Sequence, residues 1–327
     1  MRCTLCPHLC LVADNAEGLC KSRGVQGGRM VSLTYARPAT IISDEIEKKP
    51  LFHFHPGTRA LSLGGYGCNV LCAGCQNWQI SHASARTETT RLPVLTPADA
   101  VAMVRKHKLA GVAFTYNEPV VWIEYVHDVC KAFKEAGLYT AFITAAYMTA
   151  EALDYVAPVV DAFKFDLKAA AAEGWAHLSK VKDPAPACAA TIRAKEVHGC
   201  HVEVVSNIVP GLNDDDAGLT AMASWVRDSL GPGTPWHVTR FMPEFELSYL
   251  PPTPIKTLER AVHLARVAGL RFAYVGNVQG HPGRHTVCPA CGRTVIQRGE
   301  RKVEMVGVRQ GRCGACGEDL GLVCAAD

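Results

Sequence analysis

Residues 67–78 read GCNVLCAGCQNW, and the reading of this stretch decides the fold. Cys68, Cys72 and Cys75 stand at C-x3-C-x2-C spacing just behind the apolar run ALSLG at 60–64. A structural zinc site closes on four ligands, so three thiols with no fourth nearby point to a metal centre with one position open. Gly67 before the first thiol, and the small pair Ala73 and Gly74 before the last, let the loop wrap tightly around a bulky group.

Working outward, strand-like runs recur at 60–64, 111–116, 139–144, 162–167, 202–209, 236–241 and 271–276. Amphipathic helical patterns lie between them. The pattern LTPADAVAMVRKHKL opens with Thr96 as N-cap and Pro97 in the first turn, and PVVWIEYVHDVCKAFKEAG ends at Gly137. TPIKTLERAVHLARVAG, from Thr253 to Gly269, repeats that ending. Strand and helix in alternation predict right-handed βαβ units and a parallel sheet, either an incomplete barrel or an open doubly wound sheet. Both place their chemistry at the carboxyl ends of the strands. The polar residues gather there. The three-cysteine loop follows the first strand, Asn117 and Glu118 the second, and Asp166 and Lys168 the fourth. Asn207 belongs to the fifth, and His237 and Arg240 lie in the sixth.

The 327 residues carry a net charge of +3, with no basic run to suggest nucleic acid or a membrane surface. No signal pattern opens the chain and no apolar stretch reaches the ~18 residues of a spanning helix, so a cytoplasmic protein is expected. In a reducing compartment, 15 cysteines are poor disulfide candidates, and their clustering means metal. Cys288, Cys291, Cys313 and Cys316 form two C-x2-C knuckles, each followed by glycine, which predict a structural zinc ribbon; an iron–sulfur cluster on the same thiolates is the alternative. Cys3, Cys6, Cys10 and Cys20 are a further four-ligand group. They suit zinc or an auxiliary cluster, with zinc favoured because no other residue suggests an electron relay. Cys130, Cys188, Cys200 and Cys324 stand alone and read as incidental or buried thiols.

The three-cysteine loop behind the first strand of a βα array, with Tyr66 two residues before Cys68, resembles the radical S-adenosylmethionine (radical SAM) superfamily. Over nearly the whole chain, the stretches EKKPLFHFHPGTRALSLGGYGCNVLCAGCQNWQIS, FTYNEP, YMTAEALDY, FDLK, IVPGLND and YVGNV are similar to one branch. That branch is the radical SAM enzymes of the AmmeMemoRadiSam system, relatives of pyruvate formate-lyase activating enzymes. The resemblance implies an α/β chain with an incomplete parallel (β/α)6 barrel over 56–282, a Cys-rich segment over 1–55 and a zinc-ribbon-like segment over 283–327. It implies a 4Fe-4S cluster on Cys68, Cys72 and Cys75 whose open iron binds S-adenosylmethionine. It further implies cleavage to a 5′-deoxyadenosyl radical that abstracts hydrogen, a flavodoxin- or ferredoxin-type electron donor, and partner proteins of the same system.

By the same resemblance, Glu118 matches the carboxylate that accepts from the methionine ammonium, with Tyr116 and Asn117 in place of a glycine pair. Asp166 and Lys168 match a motif near the ribose and carboxylate, His237 a histidine near the adenosyl group, and Asn207 a nucleoside contact. Ala145–Ala146 stand where Asn-Gly is expected, and Met242 where a histidine is common. Each residue also has a plainer reading: Glu118 and Asp166 as helix caps, Lys168 as a solvated cation, and His237 as a core histidine. Two other functions compete with the radical enzyme. One is a zinc-dependent interaction module around an inert barrel. The other is a hydrolytic metal barrel using His53, His55 and His82.

Overall fold

The computed structural model describes residues 1–299 and 302–324. A short antiparallel hairpin, β1 (Arg23–Gln26) and β2 (Arg29–Ser32), precedes the main sheet. The sheet then takes β3 (Thr40–Glu45), β4 (Arg59–Gly64), β5 (Gly111–Phe114), β6 (Tyr139–Thr144) and β7 (Ala162–Asp166). It is completed by β8 (His201–Ile208), β9 (Trp236–Arg240) and β10 (Ala273–Gly276). Spatial order follows chain order from β3 to β10. β4 to β10 pair in parallel, and β3 pairs antiparallel with β4, Thr40 opposite Gly64 and Glu45 opposite Arg59. No ladder joins β10 to β3 among the described residues, so the sheet curves without closing.

All seven strand-like runs are strands, one more than the six parallel strands the resemblance implies. The eighth, β3, lies inside the 1–55 segment and carries the sheet past that boundary. Parallel strands covered on both faces need apolar side chains throughout, and all six residues of β6 (YTAFIT) are buried. The crossovers are helical. Pro97–Lys106 starts with a capping box in which Thr96 Oγ1 accepts from Asp99 N at 3.1 Å. Ile123–Glu135 follows a 3-10 turn, Pro119–Trp122, and ends toward Gly137, whose φ of +74° suits glycine. No helix among the described residues is long and apolar enough to cross a membrane.

The two cysteine-rich ends sit at opposite ends of the barrel. At the carboxyl end, Leu5 O accepts from Thr149 N at 3.0 Å and Asn69 O lies 2.9 Å from His8 Nε2. At the amino end, β11 (Thr286–Val287), β12 (Thr294–Arg298) and β13 (Val303–Glu304) form a small antiparallel sheet beside the hairpin β14 (Val308–Arg309) and β15 (Arg312–Cys313). Phe52, Phe272 and Tyr274 of the barrel share one core with Cys288, Val295, Ile296, Cys313 and Leu320. Arg298, 1% exposed, donates from Nη2 to Phe52 O at 2.7 Å and stacks over the Phe52 ring at 4.1 Å. The C-terminal segment is therefore a plug built into the barrel.

Candidate active site

A cavity of about 240 Å³ opens at the carboxyl ends of the strands, lined by Cys68, Cys72 and Cys75. The loop that carries them is held on all sides. Gly67 has φ +78°, and a Cβ there would lie 2.2 Å from the Cys20 carbonyl oxygen, so only glycine fits. Ala73 N donates to Leu178 O at 3.0 Å, and Gly74 packs against Phe241 and Leu247. Val70 N lies 3.4 Å from Cys68 Sγ, and Cys75 Sγ lies 3.1 Å from Ser81 Oγ. The compact loop read from Ala73 and Gly74 owes its form to packing against neighbouring elements as well as to small residues.

Asn117 lines the cavity, yet its amide is committed elsewhere: Oδ1 accepts from Gly65 N at 2.9 Å and Nδ2 donates to Gly67 O at 2.8 Å. It positions the thiol loop. Tyr66 is half-buried, its carbonyl accepts from Ser22 Oγ, and its side chain lies outside the cavity lining.

Glu118 is 3% exposed and faces the cavity. Its Oε2 accepts from Ala145 N at 2.8 Å and its Oε1 from Thr144 Oγ1. Burial pushes its carboxyl up to about 7, against those hydrogen bonds and the charges of Lys164 and Lys168. Asp166 Oδ2 lies 2.5 Å from Lys168 Nζ and 3.9 Å from Lys164 Nζ. Burial alone would raise the Asp166 carboxyl, but the two ammonium groups outweigh it and hold it below its usual range. Lys164, which sequence reading passed over, was legible in the alternation KFDLK: on a strand, residues 164, 166 and 168 share one face. Asn207 completes the rim, its Oδ1 3.4 Å from Thr239 Oγ1.

His237 is not brought to this cavity. As the second residue of β9 it lies at the amino end, with Nε2 2.7 Å from Glu203 Oε2 and its ring stacked on Tyr274 at 5.1 Å. Glu203 also accepts from the backbone N–H groups of Phe52 at 3.0 Å and His53 at 2.7 Å. Against burial, hydrogen bonds from the His201 and His237 side chains hold its carboxyl well below the usual range. His237 is thus a core histidine of the amino end. His53 belongs to the same network, 2.6 Å from Tyr274 Oη and 2.8 Å from Leu320 O, and His55 stacks on Tyr139 at 4.8 Å. His82 packs against Phe245 at 4.8 Å. No His/carboxylate metal cluster forms among the described residues. Met242 is exposed and outside the cavity lining. Ala145 contributes its N–H to Glu118, and Ala146 adopts φ +54°.

The thiol groups differ in spacing. Cys288, Cys291, Cys313 and Cys316 have all four sulfurs within 4.8 Å, with 3.6 Å from Cys288 to Cys316 and 3.7 Å from Cys291 to Cys313. A tetrahedral zinc with bonds of about 2.3 Å requires S–S edges of about 3.8 Å, so the set fits one ion. Among the described residues this is the one such set; the Cys68, Cys72 and Cys75 sulfurs do not close that far. Wider spacing suits a polynuclear group. Cys3, Cys6, Cys10 and Cys20 line one small cavity behind the loop, also without closing.

A family model described as the radical SAM superfamily matches residues 63–223, from the end of β4 into the helix Asp216–Leu230. A relative described as an uncharacterized protein, MJ0808 of Methanocaldococcus jannaschii, is 37% identical over 99% of this chain and 96% of its own. The chain belongs to the radical SAM superfamily. Two solved structures share the fold. A radical SAM methyltransferase from Sphaerobacter thermophilus superposes with TM-score 0.50 at 16% identity, over 67% of this chain and 66% of that one. Streptococcus suis SuiB, which has also been solved bound to its precursor peptide SuiA, superposes with TM-score 0.51 at 11% identity, over 68% of this chain and 48% of that one. Radical SAM membership implies an enzyme that uses S-adenosylmethionine and a 4Fe-4S cluster, and a donor of electrons. The donor set fits that group: three thiols on one loop, spaced too widely for a single ion, beside a carboxylate and paired charges.

Proposed function

We propose that this radical SAM chain is an activating-enzyme-like oxidoreductase of the AmmeMemoRadiSam type, acting on a protein residue or a small molecule with partner proteins. The observation that carries the reading is the convergence of Cys68, Cys72 and Cys75 with Glu118, Asp166 and Lys168 on one cavity. When bound, a 4Fe-4S cluster with S-adenosylmethionine supplies an electron that cleaves the latter to methionine and a 5′-deoxyadenosyl radical, which takes hydrogen from substrate.

The chain's own groups bind and orient. Cys68, Cys72 and Cys75 would hold the cluster, whose chemistry needs S-adenosylmethionine bound beside it in the same cavity. Glu118, fixed by Thr144 and Ala145, accepts from the ammonium. Lys164 and Lys168 supply cationic charge for the carboxylate, and Asp166 locks Lys168 in place. Asn207 offers its amide to the nucleoside from the rim. Asn117 keeps the loop in shape. Cys288, Cys291, Cys313 and Cys316 hold structural zinc, and a flavodoxin- or ferredoxin-type protein of the cytoplasm supplies electrons.

An inert barrel between two zinc modules is the rival, and it fits poorly. Burying Glu118, Lys164, Asp166 and Lys168 around an empty space costs several kcal/mol that no folding role recovers. The test is anaerobic incubation of the reconstituted protein with S-adenosylmethionine and dithionite. Wild type is expected to release 5′-deoxyadenosine, and Cys72→Ala none. Equal release from both would overturn the reading.

A further inference from the structure

β5 keeps its ladder one residue past its end, where Thr115 N donates to Leu63 O at 2.9 Å. The chain then turns. Tyr116 takes φ +74°, a left-handed conformation that glycine adopts freely and that a bulky residue holds only where its surroundings impose it. Behind that turn come Asn117, which fixes the thiol loop, and Glu118, which faces the cavity. Tyr116 itself lines the cavity.

The turn is held from the far end of the Tyr116 side chain. Its Oη donates to Asp44 Oδ2 at 2.8 Å and accepts from Lys49 Nζ at 3.2 Å. Lys49 also donates to Asp44 Oδ2 at 2.9 Å, and its ammonium lies 4.6 Å from the centre of the Tyr116 ring. Lys49 is 3% exposed, so a buried ammonium, a carboxylate and a hydroxyl satisfy one another. Burial would raise the Asp44 carboxyl, but Lys49, Tyr116 and Lys48 hold it down to about 2, so the anchor stays ionised at neutral pH. The ring also packs on Gly64, where a Cβ would lie 3.0 Å from Tyr116 Cδ2.

Asp44 belongs to β3, the antiparallel strand at the sheet edge, which contributes no residue to the cavity lining. The anchor is the link between that strand and the site.

We propose that Tyr116 is a positioning residue: anchored on Asp44 and Lys49, it keeps its backbone left-handed, and that turn sets the Glu118 carboxylate against Thr144 and Ala145 at the cavity. The positioning stands on geometry alone; its use in holding S-adenosylmethionine rests on the reading above. Tyr116→Phe keeps the ring but drops the anchor, leaving the strained turn unopposed. Tyr116→Gly drops the anchor too, yet removes the strain, because glycine is at ease at φ +74°. The larger deletion is therefore expected to disturb Glu118 less than the smaller one.

The experiment takes two readouts on the full chain. Hydrogen exchange of the Ala145 amide reads the position of Glu118 without any cofactor, since Glu118 Oε2 is its acceptor. Anaerobic equilibrium dialysis of the reconstituted protein reads the affinity for S-adenosylmethionine. Tyr116→Phe is expected to exchange Ala145 about tenfold faster and to bind about tenfold more weakly, while Tyr116→Gly stays within about threefold of wild type in both. Tyr116→Phe/Glu118→Gln binds no more weakly than Glu118→Gln, because Tyr116 acts through Glu118. Unchanged exchange in Tyr116→Phe, a larger disturbance in Tyr116→Gly than in Tyr116→Phe, or additive losses in the double variant would overturn the proposal. Faster exchange in Tyr116→Phe, with Glu118→Gln binding as tightly as wild type, sinks the S-adenosylmethionine reading and leaves the positioning standing. Should Tyr116→Gly not fold, exchange in Tyr116→Phe and the double variant decide.

Discussion

Asn117 Nδ2 donates to Gly67 O at 2.8 Å, so a residue of the β5 loop holds the backbone immediately before the first thiol. Its Oδ1 takes Gly65 N at 2.9 Å, so one side chain satisfies two buried backbone groups. Asn117→Ala orphans both. Each unsatisfied buried group costs about 1–3 kcal/mol, so the variant is expected to melt earlier and to lose iron on anaerobic desalting. Asn117→Asp keeps the acceptor for Gly65 and is expected to fall between. Iron per chain after a fixed dialysis checks the order; equal retention in all three would contradict it.

Glu118 offers a carboxylate whose burial lifts its titration to about 7. A charge-assisted hydrogen bond contributes about 1.5–3 kcal/mol, so Glu118→Gln is expected to weaken S-adenosylmethionine binding roughly tenfold to a hundredfold. Protonation removes the charge. Wild-type affinity should therefore decline as pH falls below about 7, by up to about tenfold per unit, while the Gln variant stays flat. Anaerobic equilibrium dialysis from pH 8 to 6 reads both effects; parallel curves would refute the assignment.

Ala146 holds φ +54°, a left-handed conformation that costs a non-glycine residue about 1–2 kcal/mol. Ala146→Gly relieves that strain but gives the unfolded chain about 0.4–1 kcal/mol more entropy. The net expectation is stabilisation of about 0.5–1 kcal/mol, seen as a small rise in melting temperature. The Asn-Gly pair expected at 145–146 thus has a counterpart in geometry: Ala146 adopts the left-handed conformation that glycine favours. A fall in melting temperature would show that Ala146 makes contacts worth more than its strain.

His53, fully buried, is held neutral down to about pH 3, whereas an unfolded histidine takes a proton near pH ~6.5. Between those limits the unfolded chain binds the extra proton. Stability is then complete above about pH 6.5 and declines as pH falls, by at most about 1.4 kcal/mol per unit for this residue. Burial moves His237 the same way, adding to the slope. His53→Gln lowers stability at neutral pH by losing its bonds to Leu320 and Tyr274, but melts with a shallower dependence between pH 7 and 5. An unchanged slope would remove His53 from the acid response.

The seven parallel strands were legible because each is dominated by apolar, β-branched or aromatic residues, as burial on both faces demands. β3 was not: TIISDE is half-exposed, gains its place only by pairing with β4, and sits among turn signals. The thiol loop and Glu118 were legible from their positions behind strands. Lys164 was available from the two-residue period of KFDLK. Asn117 reads as a cofactor contact in sequence because its partners, Gly65 and Gly67, come from a loop about 50 residues earlier. His237 shows the opposite failure. It stands early in its strand, and that position alone places it at the amino end, away from a carboxyl-end site. Glu203, the buried partner that explains it, offered no local signal.

We propose that Cys68, Cys72 and Cys75 leave one iron open to S-adenosylmethionine. The direct measurement is ENDOR spectroscopy of the reduced protein with S-adenosylmethionine carrying 15N in its amino group. A strong 15N coupling to the cluster is expected in wild type, lost in Glu118→Ala when binding fails and in the Cys68→Ala/Cys72→Ala/Cys75→Ala variant. A reduced cluster in wild type with bound S-adenosylmethionine but no 15N coupling would contradict it.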